Sequence, residues 1–349
     1  MQTGVSAPWP PISNRSTHDF NLPAPALKQK GAWRYGSVES SCHWLRAEIA
    51  RTERIGALVG TCYERPAEPV SPITHYENFP VASFLCPPHL RSPITAIYHF
   101  ARTADDIADE GEASAAQRLA DLKTYRQDLA SACAETPSGV ASQRWPQVFG
   151  PLEVVVRTHG LPHQLLRDLL DAFVQDVEKT RDASSYASHT ELLDYCRRSA
   201  NPVGRLLLHL CGITDSRALE QSDAICTALQ LINFWQDLSV DIPRGRFYLP
   251  LDACQRDGVL QSDLLALKQT ASATNLIATC AYSARSCMVR GIPLVHGMPG
   301  RTGWELRLVV QGGLRILDKM ETLNFATLTH RPVLKAWDYT VMLWRALWM

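Results

Sequence analysis

Apolar residues recur at helical spacing along most of this chain, in segment after segment from Pro87 to the last residue. Within each segment they fall at positions i, i+3, i+4 and i+7, which places them along one side of an α-helix. The clearest segments are LRSPITAIYHFARTADDIAD, AAQRLADLKTYRQDLASAC, PHQLLRDLLDAFVQDVEK, AICTALQLINFWQDLSVDI and GWELRLVVQGGLRILDKME. The alternation typical of β-strands is scarce. The sequence therefore predicts an all-α fold, a single domain of roughly ten helices packed as a bundle.

The beginning of the chain has a different composition from this helical part. Its first residues, about 30 of them, are rich in Pro, Ser and Asn and show no helical period. Pro66, Pro69 and Pro72 close off the one helical pattern that follows. We therefore expect residues 1–70 to form a largely flexible extension and residues 71–349 to form the compact domain. Within that domain, Pro202 is expected to end or kink a helix.

Composition excludes several classes of protein. The chain is 46% hydrophobic, and its 35 basic residues balance 35 acidic ones. It can therefore bury a sizeable core, but it lacks the basic excess expected of a nucleic-acid-binding protein. Ten cysteines occur without a CxxC pair, which favours reduced, mostly buried thiols. No apolar run approaches the ~18 residues of a membrane span, so a cytoplasmic protein is expected.

Asp105 and Asp109 form an i, i+4 pair in the stretch ARTADDIADEG. On a helix their carboxylates project from one face, and like charges at that spacing destabilise the helix slightly unless a cation bridges them. Asp106 points about a third of a turn away. The pair alone fits either a solvated acidic face or half of a metal site.

A second polar stripe makes the metal interpretation the stronger one. Gln230, Asn233, Asp237 and Asp241 are expected on one face of a single helix whose other residues are mostly apolar. Carboxylates buried there without a partner would be strongly destabilising. Two facing helices that each present an Asp-x-x-x-Asp pair would form an all-oxygen cage suited to Mg²⁺.

Basic residues near both aspartate pairs suggest a diphosphate ligand. Arg102 lies three residues before Asp105, while Arg244, Arg246 and Tyr248 follow Asp241. Guanidinium groups match phosphate oxygens, and a metal ion neutralises charge on a departing diphosphate. An ordinary basic loop after a helix remains the alternative for Arg244 and Arg246.

Taken together, these motifs resemble those of the squalene and phytoene synthases, the head-to-head trans-isoprenyl diphosphate synthases. The likeness covers about residues 72–335. The segments that show it are YHFARTADDIADEG and LQLINFWQDLSVDIPRGRFYLP, with YCRRSANPVGRLL between them and HYENFPVAS upstream. The resemblance implies an isoprenoid-synthase helical bundle with a central apolar cavity, and residues 71–349 as the catalytic domain.

The same resemblance assigns roles to individual residues. Tyr195 would lie near the reacting carbons, and Gly204 would open space for prenyl chains. His75 and Phe79 would line the diphosphate end of the cavity. Arg331, in THRPVLKA, would help to hold diphosphate.

Within that family the likeness is strongest to the branch that converts presqualene diphosphate into hydroxysqualene for bacterial hopanoid synthesis. Gln236 stands where an arginine is commoner, Val240 replaces a frequent acidic residue, and Gly312-Gly313 falls where a bulky residue is common. The implied substrate is presqualene diphosphate. The resemblance also implies that other enzymes of the hopanoid pathway could be partners of this protein. The condensing branch, which acts on farnesyl diphosphate to make presqualene diphosphate, squalene or phytoene, remains open. So does a non-catalytic lipid-binding or scaffold protein with the same fold.

The implied mechanism uses two or three Mg²⁺ ions held by Asp105, Asp109, Asn233, Asp237 and Asp241. Arg102, Arg244 and Arg331 would assist departure of the diphosphate, and one water would capture the resulting cation. Asn201, Tyr195 or Gln230 could hold that water. No dinucleotide or P-loop fingerprint occurs, so NADPH is not expected.

The last helical segment, LKAWDYTVMLWRALWM, has Trp337, Trp344 and Trp348 at helical spacing beside apolar residues. Core packing is the favoured role for these tryptophans. The alternative is that they make peripheral contact with the inner face of a membrane.

Overall fold

A computed structural model describes residues 86–135 and 142–349 of the chain. All of them lie within the unit Ile73–Met349. The predicted extension over residues 1–70, His75 and Phe79 lie outside the described residues. The described residues form α-helices, one 3₁₀ turn and connecting loops, without a β-strand. The predicted all-α fold is confirmed.

The helices of the described part are numbered here in chain order. They are α1 Pro88–Asp109, α2 Ala115–Ala132, α3 Pro146–His159, α4 His163–Arg181, α5 His189–Ser199, α6 Asn201–Leu210, α7 Ser216–Gln236, α8 Leu238–Asp241, α9 Leu251–Arg256, α10 Gln261–Leu265, α11 Ala271–Gly291, α12 Leu294–Gly297, α13 Gly300–Thr322 and α14 Ala336–Leu347. The 3₁₀ turn Ile242–Arg244 follows α8. The described part therefore has more helices than the ten or so expected, because α8, α9, α10 and α12 are too short for a periodic pattern to show.

Local sequence explains where several helices begin. The side chains of Ser114, Ser188, Asp215 and Thr270 each accept a hydrogen bond from a backbone N–H in the first turn of α2, α5, α7 and α11. Such caps satisfy N–H groups that have no partner within the helix. Pro202 lies in the first turn of α6, directly after the end of α5. The break predicted at this proline is confirmed.

Two apolar clusters hold the helices together. In the first, α1 packs against α2, α3 and α4, with Phe100, Tyr125 and Phe149 buried between them. In the second, α7 is central and packs against α5, α6, α11, α12 and α13. The first aspartate pair lies at the end of α1, and the second lies where α7 ends. The two aspartate pairs are therefore carried by helices that pack in different clusters.

Candidate active site

The first aspartate pair lies on the last turns of α1, which is an unbroken helix. Arg102, one turn earlier, donates a hydrogen bond from Nη1 to Asp105 Oδ2 at 3.0 Å. Its Nη2 lies 2.8 Å from Asp106 Oδ1 and 2.6 Å from Glu110 Oε1. The guanidinium of Arg102 is therefore held by acids of its own helix and by Glu110, which caps that helix.

The second aspartate pair spans a break between two helices. Helix α7 ends at Gln236, Asp237 caps it, and the short α8 continues to Asp241. The expectation of one continuous helix through these residues was wrong, because the backbone of Asp237 departs from helical geometry. The turn is nevertheless kept, since the Asp237 N–H donates to Asn233 O at 3.0 Å and the Asp241 N–H donates to Asp237 O at 2.9 Å. The i, i+4 relation of the two carboxylates survives the break.

Arg246 joins the two aspartate pairs. Gly245 adopts a positive φ of 78°, which lets the chain reverse after the 3₁₀ turn, and the Arg246 N–H then donates to Asp241 O at 3.0 Å. From there the Arg246 side chain reaches α1, where Nη2 lies 2.7 Å from Asp109 Oδ2. The sequence indicates Arg246 as a basic residue near Asp241, but it does not predict a contact with α1. Its bond to Asp109 crosses 137 positions of sequence and could not be read from spacing.

The electrostatics of this region favour the binding of a cation. Burial, reinforced by the neighbouring Asp109 carboxylate, raises the pKa of Asp105 to about 6. Burial also raises the pKa of Asp241 to about 6, although Arg246 opposes the shift. Burial alone would lower the pKa of Arg246, but the hydrogen bond to Asp109 and the nearby groups of Tyr248, Asp109 and Asp241 together outweigh that effect and raise it. Carboxylates with raised pKa values beside like charges are stabilised by any cation that binds between them.

A loop near the C-terminal end closes over the second pair. Arg331 donates from Nε and Nη2 to the two carboxylate oxygens of Asp237, at 2.6 Å and 2.9 Å. The adjacent residue of α7, Gln236, is buried and donates from Nε2 to the carbonyl oxygen of Pro332 at 2.7 Å. These three hydrogen bonds fix residues 331–332 against the end of α7. They give a structural role to Gln236, which the sequence had marked only as a departure from the commoner arginine.

Tyr195 belongs to an aromatic cluster beside the aspartates. Its ring lies near those of Tyr186 and Phe234, and the ring of Tyr248 stacks on Phe234 at 3.8 Å. The Tyr195 hydroxyl donates to Asp176 Oδ2 of α4 at 2.5 Å. Burial raises the pKa of Asp176 to about 7, and the bond from Tyr195 opposes that shift.

Asp176 is a site residue that sequence reasoning missed. It sits on the amphipathic helix α4 among other charged residues, so nothing in the local pattern distinguishes it from a solvated acid. Only its bond to Tyr195 and its electrostatic coupling to Asp105, Asp109 and Arg246 reveal its place.

An apolar cavity of about 230 Å³ begins one turn from Asp237. Asn233, Gln230 and Ser199 are polar residues of its wall, and most of the remaining wall is apolar. The buried hydroxyl oxygen of Ser199 has no hydrogen-bond partner among the described residues. The cavity therefore offers a site for a long apolar group whose polar end would lie toward the aspartates.

The other predicted residues are placed as follows. Gly204 lines the cavity, but its missing side chain also serves packing, since a Cβ there would lie 2.3 Å from Ser222 Oγ and 2.6 Å from Cys226 Sγ of α7. Asn201 is buried and its amide oxygen accepts a hydrogen bond from Thr227 Oγ1 at 2.9 Å. Arg244 is exposed on the 3₁₀ turn, close enough to Asp241 to lower its pKa.

The donor set of this site suits Mg²⁺ in its chemistry. Carboxylate and amide oxygens are the protein ligands that this ion prefers, and Asp105, Asp109, Asn233, Asp237 and Asp241 supply them. Within residues 86–135 and 142–349, the structure contains no group of three acidic, histidine or cysteine side chains close enough together to surround one metal ion. The guanidinium groups of Arg246 and Arg331 bind two of these carboxylates instead.

Comparison with known proteins agrees with this geometry. A family model described as squalene/phytoene synthase matches residues 74–338. Hydroxysqualene synthase of Zymomonas mobilis is 39% identical over 218 residues, which cover 61% of this chain and 68% of that protein. Hydroxysqualene synthase of Rhodopseudomonas palustris is 32% identical over 267 residues, which cover 76% of this chain and 86% of that protein.

Among solved structures, squalene synthase HpnC from Alicyclobacillus acidocaldarius is similar to this chain at a TM-score of 0.64 and 33% identity, over 72% of this chain and 90% of that one. A dehydrosqualene synthase, at a TM-score of 0.62 and 20% identity over 74% of this chain and 85% of that one, has the same fold. The helical bundle with its apolar cavity is thus the isoprenoid-synthase fold that the motifs implied. Because the family model matches well over half of its residues, the chain belongs to the squalene/phytoene synthase family.

Proposed function

We propose that the protein converts presqualene diphosphate and water into hydroxysqualene and diphosphate, in a Mg²⁺-dependent reaction. The observation that supports this most directly is the convergence of two aspartate pairs on Arg246 near one end of an apolar cavity. A charged end and an apolar interior match a substrate with a diphosphate group and long hydrocarbon chains. Relatives named hydroxysqualene synthase support the choice of reaction.

The residues that would hold Mg²⁺ are Asp105, Asp109, Asn233, Asp237 and Asp241. When bound, the ion supplies positive charge that stabilises the departing diphosphate. The protein's own contribution begins with Arg246 and Arg331, which in the described arrangement bind Asp109 and Asp237. We infer that both guanidinium groups turn from these carboxylates to phosphate oxygens when substrate binds, because a phosphate oxygen is an equally good partner for an arginine fork.

The bond changes balance without a reductant. The C–O bond to the diphosphate breaks, and diphosphate leaves with the bonding electrons. The cyclopropylcarbinyl cation rearranges to an allylic cation within the apolar cavity, whose wall limits access of bulk water. One water oxygen then bonds to the allylic carbon and releases a proton.

Three polar side chains are candidates to position the captured water. Gln230 and Ser199 line the cavity, and the Ser199 hydroxyl has no other partner among the described residues. Tyr195 is held by its bond to Asp176, so its hydroxyl oxygen has a fixed place near the charged end. Asn201 is less suited in this arrangement, because its amide oxygen already accepts a hydrogen bond from Thr227.

Gln236 favours a substrate with one diphosphate over the condensation of two diphosphates. The motif resemblance indicates that an arginine is commoner at this position, where it would add a positive charge. Here the side chain is neutral, buried and bonded to the carbonyl of Pro332. The site therefore has one fewer cation for a second diphosphate, which supports ionisation of a single diphosphate.

One assay tests the proposal. Purified protein is incubated with Mg²⁺ and either presqualene diphosphate or farnesyl diphosphate, without NADPH, and the products are identified by mass spectrometry. We expect hydroxysqualene from presqualene diphosphate and no consumption of farnesyl diphosphate. Consumption of farnesyl diphosphate would show a condensing enzyme instead. A protein inactive on both, but folded and able to bind a prenyl chain, would point to the non-catalytic alternative.

A further inference from the structure

The outer face of α14 exposes large apolar side chains. Trp337, Trp344 and Trp348 are 68%, 63% and 76% exposed, and Leu343 and Leu347 are more than half exposed. We call these five residues the α14 outer face. The expectation that the three tryptophans pack in the core was wrong. The opposite side of the helix, with Met342 and Ala346, faces the protein instead.

A buried ion-pair network fixes which side of α14 faces outward. Asp338 is fully buried and binds Arg315 at 2.7 Å and Lys319 at 2.8 Å, both on α13. Its other carboxylate contact is the backbone N–H of Lys335 at 2.7 Å, which caps the helix. An aspartate so placed cannot turn toward solvent without leaving Lys319 without this partner and Arg315 with only a 4.0 Å contact to Asp318. The tryptophans on the far side are therefore held outward.

The charged residues that flank the outer face are mostly basic. Its five side chains are apolar, and the one acidic residue of α14, Asp338, lies on the buried side. Lys335 precedes the first turn, while Arg307 of α13 donates to Ala346 O at 3.2 Å near the last turn. Arg345 is exposed at one edge, where it pairs with Asp318. Such a distribution complements a surface that is apolar inside and negative at its boundary.

The outer face also continues toward the helix that lines the cavity. The guanidinium carbon of Arg307 lies 5.1 Å from the ring centroid of Trp304, which is exposed. Arg307 thereby links Trp304 to the end of α14. Thr302 and Leu306, on the other side of α13, line the apolar cavity. Helix α13 thus contacts the end of α14 on one side and forms part of the cavity wall on the other.

We propose that the α14 outer face docks the protein on the surface of a lipid bilayer that contains anionic lipids. Tryptophan is the residue best suited to the boundary between headgroups and acyl chains, since its ring is apolar and its N–H is polar. An interfacial helix with tryptophan and leucine on one face and basic residues at its edges is the expected anchor. A stable dimer interface uses about 20–30 residues on each side, many more than this face offers. Among the described residues no helix could span a membrane, so contact through this part of the chain would be at the surface.

Vesicle sedimentation tests this proposal independently of the enzyme activity. The full chain is mixed with vesicles of equal parts phosphatidylcholine and phosphatidylglycerol, with no substrate present. The variant W337S/W344S/W348S should bind these vesicles less tightly by a factor of about ten or more. The matched control is L260S/L265S, which removes two exposed leucines from α10 and the residue before it and should bind as the wild type does. Circular dichroism and thermal unfolding establish that all three proteins are folded.

Three results would overturn the proposal. The first is a wild-type protein that does not sediment with the vesicles. The second is equal binding by the tryptophan variant. The third is a change of oligomeric state without membrane binding. If analytical ultracentrifugation shows a wild-type dimer and a monomeric tryptophan variant, and neither protein binds vesicles, the face is an interface between copies of the chain. Vesicles of phosphatidylcholine alone should bind more weakly, and equal binding to both kinds would remove the role given to anionic lipid.

Discussion

The two aspartate pairs have the same spacing in the sequence but are held in different ways. Asp105 and Asp109 lie on one unbroken helix, and Arg102 of the same helix binds Asp105. Asp237 and Asp241 lie on either side of a helix break, and the partner of Asp237 is Arg331, 94 positions away. Local helical structure thus holds the backbone of the first pair, although Asp109 also binds the remote Arg246. The second pair spans a helix break and depends on a remote loop as well. We therefore expect the second pair to be the more sensitive to changes far from it.

The largest effect should come from the carboxylates themselves. Asp105→Asn and Asp237→Asn should each reduce turnover by about a thousandfold or more, because each would remove negative charge from the proposed cation site at the diphosphate. Steady-state kinetics with presqualene diphosphate measures the loss. Asp257→Asn, at a surface aspartate paired with Arg256, is the control and should keep full activity. Full activity in either site variant would contradict the metal assignment for its pair.

Removal of the remote partner should have a smaller but clear effect. Arg331→Gln should lower kcat/KM by about 10–100-fold, because it removes the charged partner of Asp237, a proposed metal ligand. Arg256→Gln, at another aspartate-bound arginine on the surface, should leave kcat/KM unchanged. An Arg331 variant as active as the wild type would show that the second pair does not depend on the remote loop.

Gln236 tests whether the loop itself supports the second pair. Gln236→Ala would leave the carbonyl of Pro332 without its donor, at a cost of about 1–3 kcal/mol in the free energy of unfolding or in local opening. Hydrogen exchange of residues 328–335, followed by mass spectrometry, should show faster exchange, while the end of α1 is unchanged. An equal increase in hydrogen exchange at residues 328–335 and at the end of α1 would contradict the view that the loop supports only the second pair.

The last prediction concerns Asp176, which is coupled electrostatically to the first pair and to Arg246. Burial raises its pKa from 3.8 to about 7, so the folded state binds this proton more tightly than the unfolded state does. The free energy of unfolding should therefore fall as the pH rises from about 4 to about 7, by at most ~1.4 kcal/mol per pH unit from this group. Asp176→Asn should make the fall shallower in metal-free buffer, as measured by urea unfolding across that range. Asp105 and Asp241 have raised pKa values of the same sign, so a residual slope is expected. An unchanged slope in the variant would contradict the shifted pKa of Asp176.

The sequence was sufficient for the parts of the site that repeat along a helix. The i, i+4 aspartates and the break at Pro202 follow from local geometry, and each is where the pattern predicted it. Asp176 was missed because a single carboxylate on an amphipathic helix has no local signature. The α14 tryptophans were placed wrongly because helical spacing shows which residues share a face but not which face is covered.

The sequence by itself determined the helical fold, the two aspartate pairs and the family. Those features depend on hydrophobic periodicity and on short motifs, both of which are encoded within a few turns of chain. Only the tertiary structure decided that Arg246 bridges to Asp109, that Arg331 binds Asp237 and that α14 turns its tryptophans outward. These contacts join residues far apart in the chain or depend on which helix packs against which. Their geometry arises from packing of the whole domain, so no local pattern could specify it.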